Sequence, residues 1–77
     1  MSIRFPVVTS KEIIKVLEMI GFVFVRQSGS SHAIYKRPAD NRRTVIPMHA
    51  ATTLKRRTLK AILTDAGLSV EEFRKLL

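Results

Sequence analysis

The sequence contains no cysteine and no tryptophan, and only three glycines and three prolines among its 77 residues. Without thiols, neither disulfide bonds nor a cysteine-based zinc site can stabilise the fold. The scarcity of glycine and proline, together with 45% hydrophobic residues, predicts a globular rather than a disordered chain. A chain of this length supports one small core, so we expect a single domain over residues 1–77.

Membrane segments, metal ligands and phosphate loops are also missing from the sequence. No apolar run approaches the ~20 residues of a membrane span, and residues 1–6 lack the apolar centre of a signal peptide. We therefore expect a cytoplasmic protein with no membrane partner. Two histidines, no thiol and few central acids do not supply three or four metal ligands at usable spacing. No glycine-rich loop precedes a Lys-Ser/Thr pair, so we predict neither a metal nor a small-molecule cofactor.

Acidic residues are scarce in the middle of the chain. The protein has 14 Lys and Arg against six Asp and Glu, which gives a net charge of +8. Residues 19–64 carry nine cations and one acid, Asp40, so this segment accounts for the whole net charge. Such a field attracts polyanions, nucleic acid first and anionic membrane second. A generally soluble basic surface is the simpler explanation, but solubility does not require the cations to be segregated.

Hydrophobic spacing predicts an α+β fold with the element order α-β-β-β-α and a short additional C-terminal helix. The first helix, the three strands and the second helix are expected at about residues 10–20, 22–25, 32–37, 43–48 and within 53–66. Helix ends are marked by capping boxes and by glycines that suit a left-handed backbone: Thr9 with Glu12, Gly21, Gly67, and Ser69 with Glu72. Short loops between the strands predict a three-stranded antiparallel sheet with the helices on one face.

The first predicted strand is apolar on both faces, since its sequence is Phe22-Val23-Phe24-Val25. A sheet covered by helices on one face only should alternate apolar and polar residues. The second face of this strand therefore needs its own cover. An acidic, partly hydrophobic protein partner would match the neighbouring positive charge, and a loop or a chain terminus is an equally simple cover.

One residue is well placed for acid–base chemistry, His32. It follows Gly29-Ser30-Ser31, small residues that let a backbone approach a phosphate closely, and it opens the second predicted strand. Metal-free cleavage of RNA needs a base for the 2′-hydroxyl, and free imidazole titrates close to neutral pH. A lone histidine on a strand is often merely structural, and both interpretations stand at this point. His49 can be a second proton-transfer group, a phosphate contact or a capping residue.

Hydroxyl and cationic side chains near His32 are candidate contacts to RNA. Lys55, Arg56 and Arg57 lie where the second helix begins, and cations there oppose the helix macrodipole unless an anion binds. The aromatic residues Phe24 and Tyr35 can stack on bases or belong to the core. The candidate RNA-binding residues are Ser30, Ser31, Lys36, Arg37, Arg42, Arg43, His49, Lys55, Arg56 and Arg57.

The order and spacing of several short motifs resemble the HicA family of toxin–antitoxin mRNA interferases. The similarity covers about residues 9–76. It is carried by a helix ending at Gly21-Phe22, by Gly29-Ser30-Ser31-His32 with Tyr35, by Thr44-Val45-Ile46-Pro47-Met48-His49, by Leu54-Lys55 with Thr58-Leu59-Lys60-Ala61-Ile62-Leu63, and by Ala66-Gly67-Leu68-Ser69-Val70-Glu71-Glu72-Phe73. Two features depart from the family pattern: the turn has an extra serine compared with Gly-Ser-His, and Arg57 replaces a glycine found in many members.

This resemblance implies a fold like that of a double-stranded-RNA-binding domain. It also implies metal-independent, ribosome-independent cleavage of mRNA, with His32 matching the catalytic histidine, and a HicB-type antitoxin that covers the active site. A non-catalytic RNA-binding module, which recognises A-form shape through 2′-hydroxyl and phosphate contacts, fits composition and charge equally well. A helix-turn-helix DNA-binding protein is a third class, and the three predicted strands count against it.

Overall fold

Six helices and strands make up the part of the chain that the computed structural model describes, residues 5–29, 31–48 and 53–77. In order they are α1 (Ser10–Met19), β1 (Val23–Ser28), β2 (His32–Arg37), β3 (Arg42–Pro47), α2 (Arg56–Ala66) and α3 (Val70–Leu76). Both pairs of neighbouring strands are antiparallel, and the order across the sheet is β1-β2-β3. The predicted α+β fold and its element order are confirmed.

The helix ends form where the capping residues predict them. Thr9 and Glu12 form a reciprocal capping box at α1, in which the Glu12 carboxylate accepts from the Thr9 N–H at 2.9 Å. Gly21 has φ +97° just beyond α1, and Gly67 has φ +72° just beyond α2. Ser69 opens α3 with a second capping box. Among the described residues, no helix is long and apolar enough to cross a membrane.

The hydrophobic core lies between the helices and one face of the sheet. The largest fully buried side chains are Phe22, Phe73, Ile13, Leu17, Ile46, Leu59, Ile62, Val16 and Thr44. Along β2, Ala33 and Tyr35 belong to this core, whereas His32 and Lys36 are exposed. Successive side chains of a strand point to opposite faces. We call the face toward the helices the helix face and the other the open face.

β1 is an edge strand whose six residues are all exposed. It extends to Ser28, beyond the predicted end at Val25, because its polar second half also pairs with β2. Val23, Phe24 and Val25 are 50%, 53% and 49% exposed. The apolar surface that the sequence predicts on this strand is therefore present and uncovered by the described residues.

Phe22 is not part of β1, in contrast to the prediction. Its N–H donates to the Leu17 carbonyl at 2.9 Å and so completes the C-terminal cap of α1, while its side chain is 1% exposed. A β-bulge follows between Phe24 and Arg26, where the register with β2 shifts. The bulge decides which side chains of β1 share a face with His32.

Candidate active site

The strand register determines which residues accompany His32 on the open face, because directly opposed residues of neighbouring strands lie on the same face. Three rows cross this face from β1 through β2 to β3. They are Ser28–His32–Pro47, Arg26–Ile34–Val45 and Val23–Lys36–Arg43. His32 and Lys36 are four residues apart on one strand, a distance of about 13 Å.

His32 is exposed at the first position of the central strand, paired on both sides. The backbone around it is held in place: the Met48 N–H donates to the Ser31 carbonyl at 2.6 Å, and the Ser10 hydroxyl donates to the Pro47 carbonyl. In the preceding turn, Gly29 has φ +64°, and a Cβ built there would meet no atom within 4 Å. A strand held by hydrogen bonds on both sides thus presents the imidazole three residues after Gly29, which has open space around its Cα.

Three cations lie on the open face beyond His32. Arg26, Lys36 and Arg43 line a shallow cleft of about 390 Å³, together with Val25, Ile34 and Asn41. All three cations are exposed, and no hydrogen bond or ion pair joins their side chains to another residue in the described part of the chain. Their charge is therefore available to an external anion.

Arg37 lies on the helix face, where its guanidinium group is fully engaged. It donates to both carboxylate oxygens of Asp40 at 3.0 and 2.8 Å. It also donates to the carbonyl oxygens of Ile20 and Ala66, at the ends of α1 and α2, at 3.2 and 3.4 Å. Its Cζ lies 4.9 Å from the centre of the Phe22 ring. This arginine joins the two helix ends to the sheet.

Arg42 shares this arrangement opposite Arg37. Its side chain donates to the Asp65 carbonyl at 3.1 Å, and its Nε lies 3.3 Å from the Asp40 carboxylate. The hydrogen bonds from the Arg37 side chain are the largest influence on Asp40 and, with the Arg42 backbone N–H, lower the pKa of Asp40 from 3.8 to about 2. Asp40 is consequently ionised near neutral pH and binds both arginines.

The four predicted RNA-binding cations that lie on β2 and β3 therefore separate into two pairs. Lys36 and Arg43 share the open face with His32, whereas Arg37 and Arg42 face the helices. Sequence reasoning did not single out Arg26 as a binding residue. Its place on the open face depends on the β-bulge, for which the sequence gives no clear signal.

The cations at the start of α2 form a separate group. Lys55 is the N-cap residue and makes no side-chain capping bond, and the first turn of α2 has no acid. The Arg56 guanidinium lies over the Phe5 ring at 4.7 Å. Lys55, Arg56 and Arg57 are all exposed. No described contact brings them to His32, so their binding to RNA stays a prediction.

The remaining candidate residues are the two serines before His32, the second histidine and the aromatic residues. Ser31 is half-buried beside His32, and Ser30 and His49 lie outside the described residues. Tyr35 is 6% exposed in the core, where burial raises its pKa. The Phe24 ring packs edge-on against it at 5.7 Å between ring centres. Tyr35 is therefore a core residue and does not offer a stacking platform on the open face.

No three His, Asp or Glu side chains come close enough to hold a metal ion in the described part of the chain. The site consists of one imidazole, cations and hydroxyl groups. Such groups can transfer a proton and stabilise negative charge on a phosphate.

Comparison with known proteins identifies the family. The sequence profile described as HicA toxin of bacterial toxin–antitoxin matches residues 10–68, from the start of α1 to just beyond α2. The chain belongs to the HicA toxin family. No curated protein matches the chain. As a HicA toxin, it is the toxin component of a toxin–antitoxin system, and the family implies an RNase toxin and an antitoxin partner.

The match covers all three strands and therefore His32 with its row on the open face. α3 lies beyond the matched residues, yet its Phe73 is fully buried in the core of this HicA toxin. The last helix is thus part of the domain, because its Phe73 side chain belongs to the common hydrophobic core.

Proposed function

We propose that this HicA toxin is a metal-independent endoribonuclease that cleaves mRNA on the open face of its sheet, with His32 as the proton-transfer group. The observation that carries the proposal is the position of His32. It is exposed on the central strand, which is paired on both sides, and among the described residues it shares its face with unpaired cations and with no carboxylate. A merely structural histidine would be expected to pack against or hydrogen-bond to its neighbours.

The reaction needs only groups that this surface offers. His32 removes the proton of a ribose 2′-hydroxyl, and the 2′-oxygen attacks the adjacent phosphorus. The bond from phosphorus to the 5′-oxygen breaks, which leaves a 2′,3′-cyclic phosphate and a 5′-hydroxyl. The leaving oxygen takes a proton from the imidazolium, from water or from a second group such as His49. Imidazole suits both transfers because its free pKa is ~6.5.

The substrate is bound chiefly through its backbone in this proposal. Lys36 and Arg43 contact phosphates on the open face, and Ser30 and Ser31, which directly precede His32 in the sequence, contact the RNA next to the cleaved bond. Small residues before His32 let the scissile phosphate approach the backbone. Lys55, Arg56 and Arg57 hold a more distant part of the RNA. Arg37 and Arg42 are left out of the binding surface because their guanidinium groups are engaged on the helix face.

The partner proposed for the same face is a HicB-type antitoxin. Val23, Val25 and Val45 are 50%, 49% and 41% exposed between the cations. An acidic, partly hydrophobic surface would complement this mixture of apolar and positive groups. Binding there would cover His32 and so prevent access of RNA. A mixture of toxin and antitoxin in which RNA cleavage continues unchanged would contradict this arrangement.

The test of the enzymatic proposal compares the wild type with His32→Ala on one RNA, in buffer with EDTA. The wild type should cleave and leave 2′,3′-cyclic phosphate ends, while His32→Ala should bind the RNA with similar affinity and not cleave it. Because His32 is exposed, the variant should keep its unfolding midpoint in urea. His49→Ala, assayed in parallel, shows whether the second histidine contributes.

Other results would change the assignment. Cleavage by His32→Ala at the wild-type rate would remove His32 from the chemistry. Loss of wild-type cleavage in EDTA, restored by excess Mg²⁺, would overturn the metal-free mechanism. RNA binding without cleavage by either protein, on total cellular mRNA, would favour the non-catalytic RNA-binding module.

A further inference from the structure

The hairpin of β2 and β3 contains two consecutive cross-strand pairs of like charge. Lys36 lies opposite Arg43, and Arg37 lies opposite Arg42. Like charges that are directly opposed destabilise a sheet. Both pairs therefore need an explanation, and they differ in whether a carboxylate lies next to them.

The pair on the helix face has its own counter-ion. The Asp40 carboxylate, in the connecting loop, contacts Arg37 at 2.8 Å and Arg42 at 3.3 Å. It lies between the two guanidinium groups and bridges them. The like-charge repulsion of this pair is thus neutralised within the chain.

The pair on the open face has no counter-ion within the chain. All six acidic residues lie in the described part of the chain, and none forms an ion pair with Lys36 or Arg43. A third cation, Arg26, adds to the imbalance because the β-bulge places it opposite Ile34, on the same face. Without the bulge, strand alternation from Phe24 would turn Arg26 to the helix face.

These three cations surround a concave surface. Arg26, Lys36 and Arg43 line the cleft of about 390 Å³, together with Val25, Ile34 and the hairpin residue Asn41. Ile34 is 4% exposed and forms a closed apolar floor. The cleft therefore offers three positive charges and an amide around a shallow depression. Such a surface suits one compact anion that is attached to an apolar group.

We propose that this cleft is a second phosphate-binding subsite, which holds a backbone phosphate of the RNA other than the one that is cleaved. The bound phosphate bridges Lys36 and Arg43 as Asp40 bridges Arg37 and Arg42. The inference rests on the proposed function, since it takes the RNA to be the substrate of His32. Lys36 is about 13 Å from His32 along β2, so the two phosphates belong to different nucleotides and the RNA follows the direction of β2 between them.

The experiment uses the His32→Ala protein, so that binding is measured without cleavage. RNA oligomers of one sequence, each with a single phosphate replaced by an uncharged methylphosphonate, are compared in binding to this protein and to Lys36→Gln/Arg43→Gln in the same background. The matched control is Lys15→Gln/Lys75→Gln, which removes the same charge from exposed positions on α1 and α3.

The double substitution in the cleft should weaken binding of unmodified RNA about 10- to 100-fold, the range for lost hydrogen bonds to a charged group. One methylphosphonate position should weaken binding to the His32→Ala protein and have no further effect on the cleft variant, because both changes remove the same interaction. The slope of log K against log salt should become shallower by about 0.7 for each phosphate that the variant no longer neutralises. In the control variant, the RNA affinity, the effect of the methylphosphonate and the salt dependence should all stay close to those of the His32→Ala protein.

Two outcomes would overturn the inference and leave the proposed function intact. One is equal RNA affinity and salt dependence in the cleft variant and the control, with the wild type still cleaving RNA. The other is unchanged RNA binding together with lost antitoxin binding, which would assign the cleft to the protein partner. If the wild type cleaves no RNA but the cleft still couples to one methylphosphonate position, the subsite stands and the proposed catalysis fails. Urea unfolding of each variant excludes misfolding as the cause.

Discussion

Lys36 and Arg37 are adjacent cations on β2 that face opposite sides of the sheet, and replacing each by glutamine should have opposite consequences. Lys36→Gln removes an exposed charge opposite Arg43 and should weaken RNA binding. Arg37→Gln removes the group that joins α1, α2 and the β2–β3 loop and should lower the free energy of unfolding. The two changes are matched in charge and in position along the chain.

The loss of stability expected for Arg37→Gln follows from the contacts of the Arg37 side chain. A hydrogen bond that involves a charged group contributes about 1.5–3 kcal/mol, and the cation–π contact with Phe22 about 0.5–1 kcal/mol. The side chain is 21% exposed, and contacts that share one group do not add fully. We therefore expect a loss of about 2 kcal/mol, which for a domain of this size lowers the melting temperature by about 10 °C.

Urea and thermal unfolding followed by circular dichroism measure the stability of both variants, and a titration with RNA measures their binding, with all proteins in the His32→Ala background. Lys36→Gln should stay within about 0.5 kcal/mol of the parent, as expected for an exposed site, or become slightly more stable because a like-charge repulsion is removed. Equal stability losses in the two variants would refute the division into a structural and a binding cation. So would an Arg37→Gln protein that unfolds at the parent's urea midpoint.

Two further predictions concern stability. Phe73→Ala should lower the free energy of unfolding in urea by about 3–5 kcal/mol, because this ring is fully buried even though α3 lies beyond the residues that match the family. A loss below about 1 kcal/mol would show that α3 is not part of the cooperative unit. Asp40 has a lowered pKa of about 2 against 3.8, so its contribution is complete above about pH 4 and is lost as the pH falls through 2. Asp40→Asn should remove that part of the acid dependence between pH 4 and 2, and a wild-type acid profile in this variant would contradict the assigned cause.

The features that the sequence predicts well are local ones. The capping boxes at Thr9 and Ser69 and the left-handed glycines after α1 and α2 involve residues within a turn of each other, so their pattern is visible in the sequence. His32 is placed correctly at the first residue of β2 for the same reason, since a turn of small residues precedes it. Its catalytic role stays a prediction.

The features that the sequence does not predict depend on register. Whether Arg26, Lys36, Arg37, Arg42 or Arg43 accompanies His32 is decided by a bulge in β1 and by pairing across three strands. A shift of one residue exchanges the two faces of a strand. Periodicity alone cannot fix that shift where β1 is an exposed edge strand with apolar residues on both faces. The four cations of the hairpin consequently look equivalent in the sequence.

The placement of acidic residues gives the strongest reason to treat the open face as a binding surface. In one hairpin, two like-charged pairs stand side by side, and an acid accompanies only the pair that faces the helices. Stability alone would favour an acid beside Lys36 and Arg43 as well. A carboxylate there would neutralise the cations and repel a phosphate approaching His32. Under the proposed function, the repulsion between Lys36 and Arg43 is a cost in stability that the surface bears while no RNA is bound, and a bound polyanion would remove that repulsion.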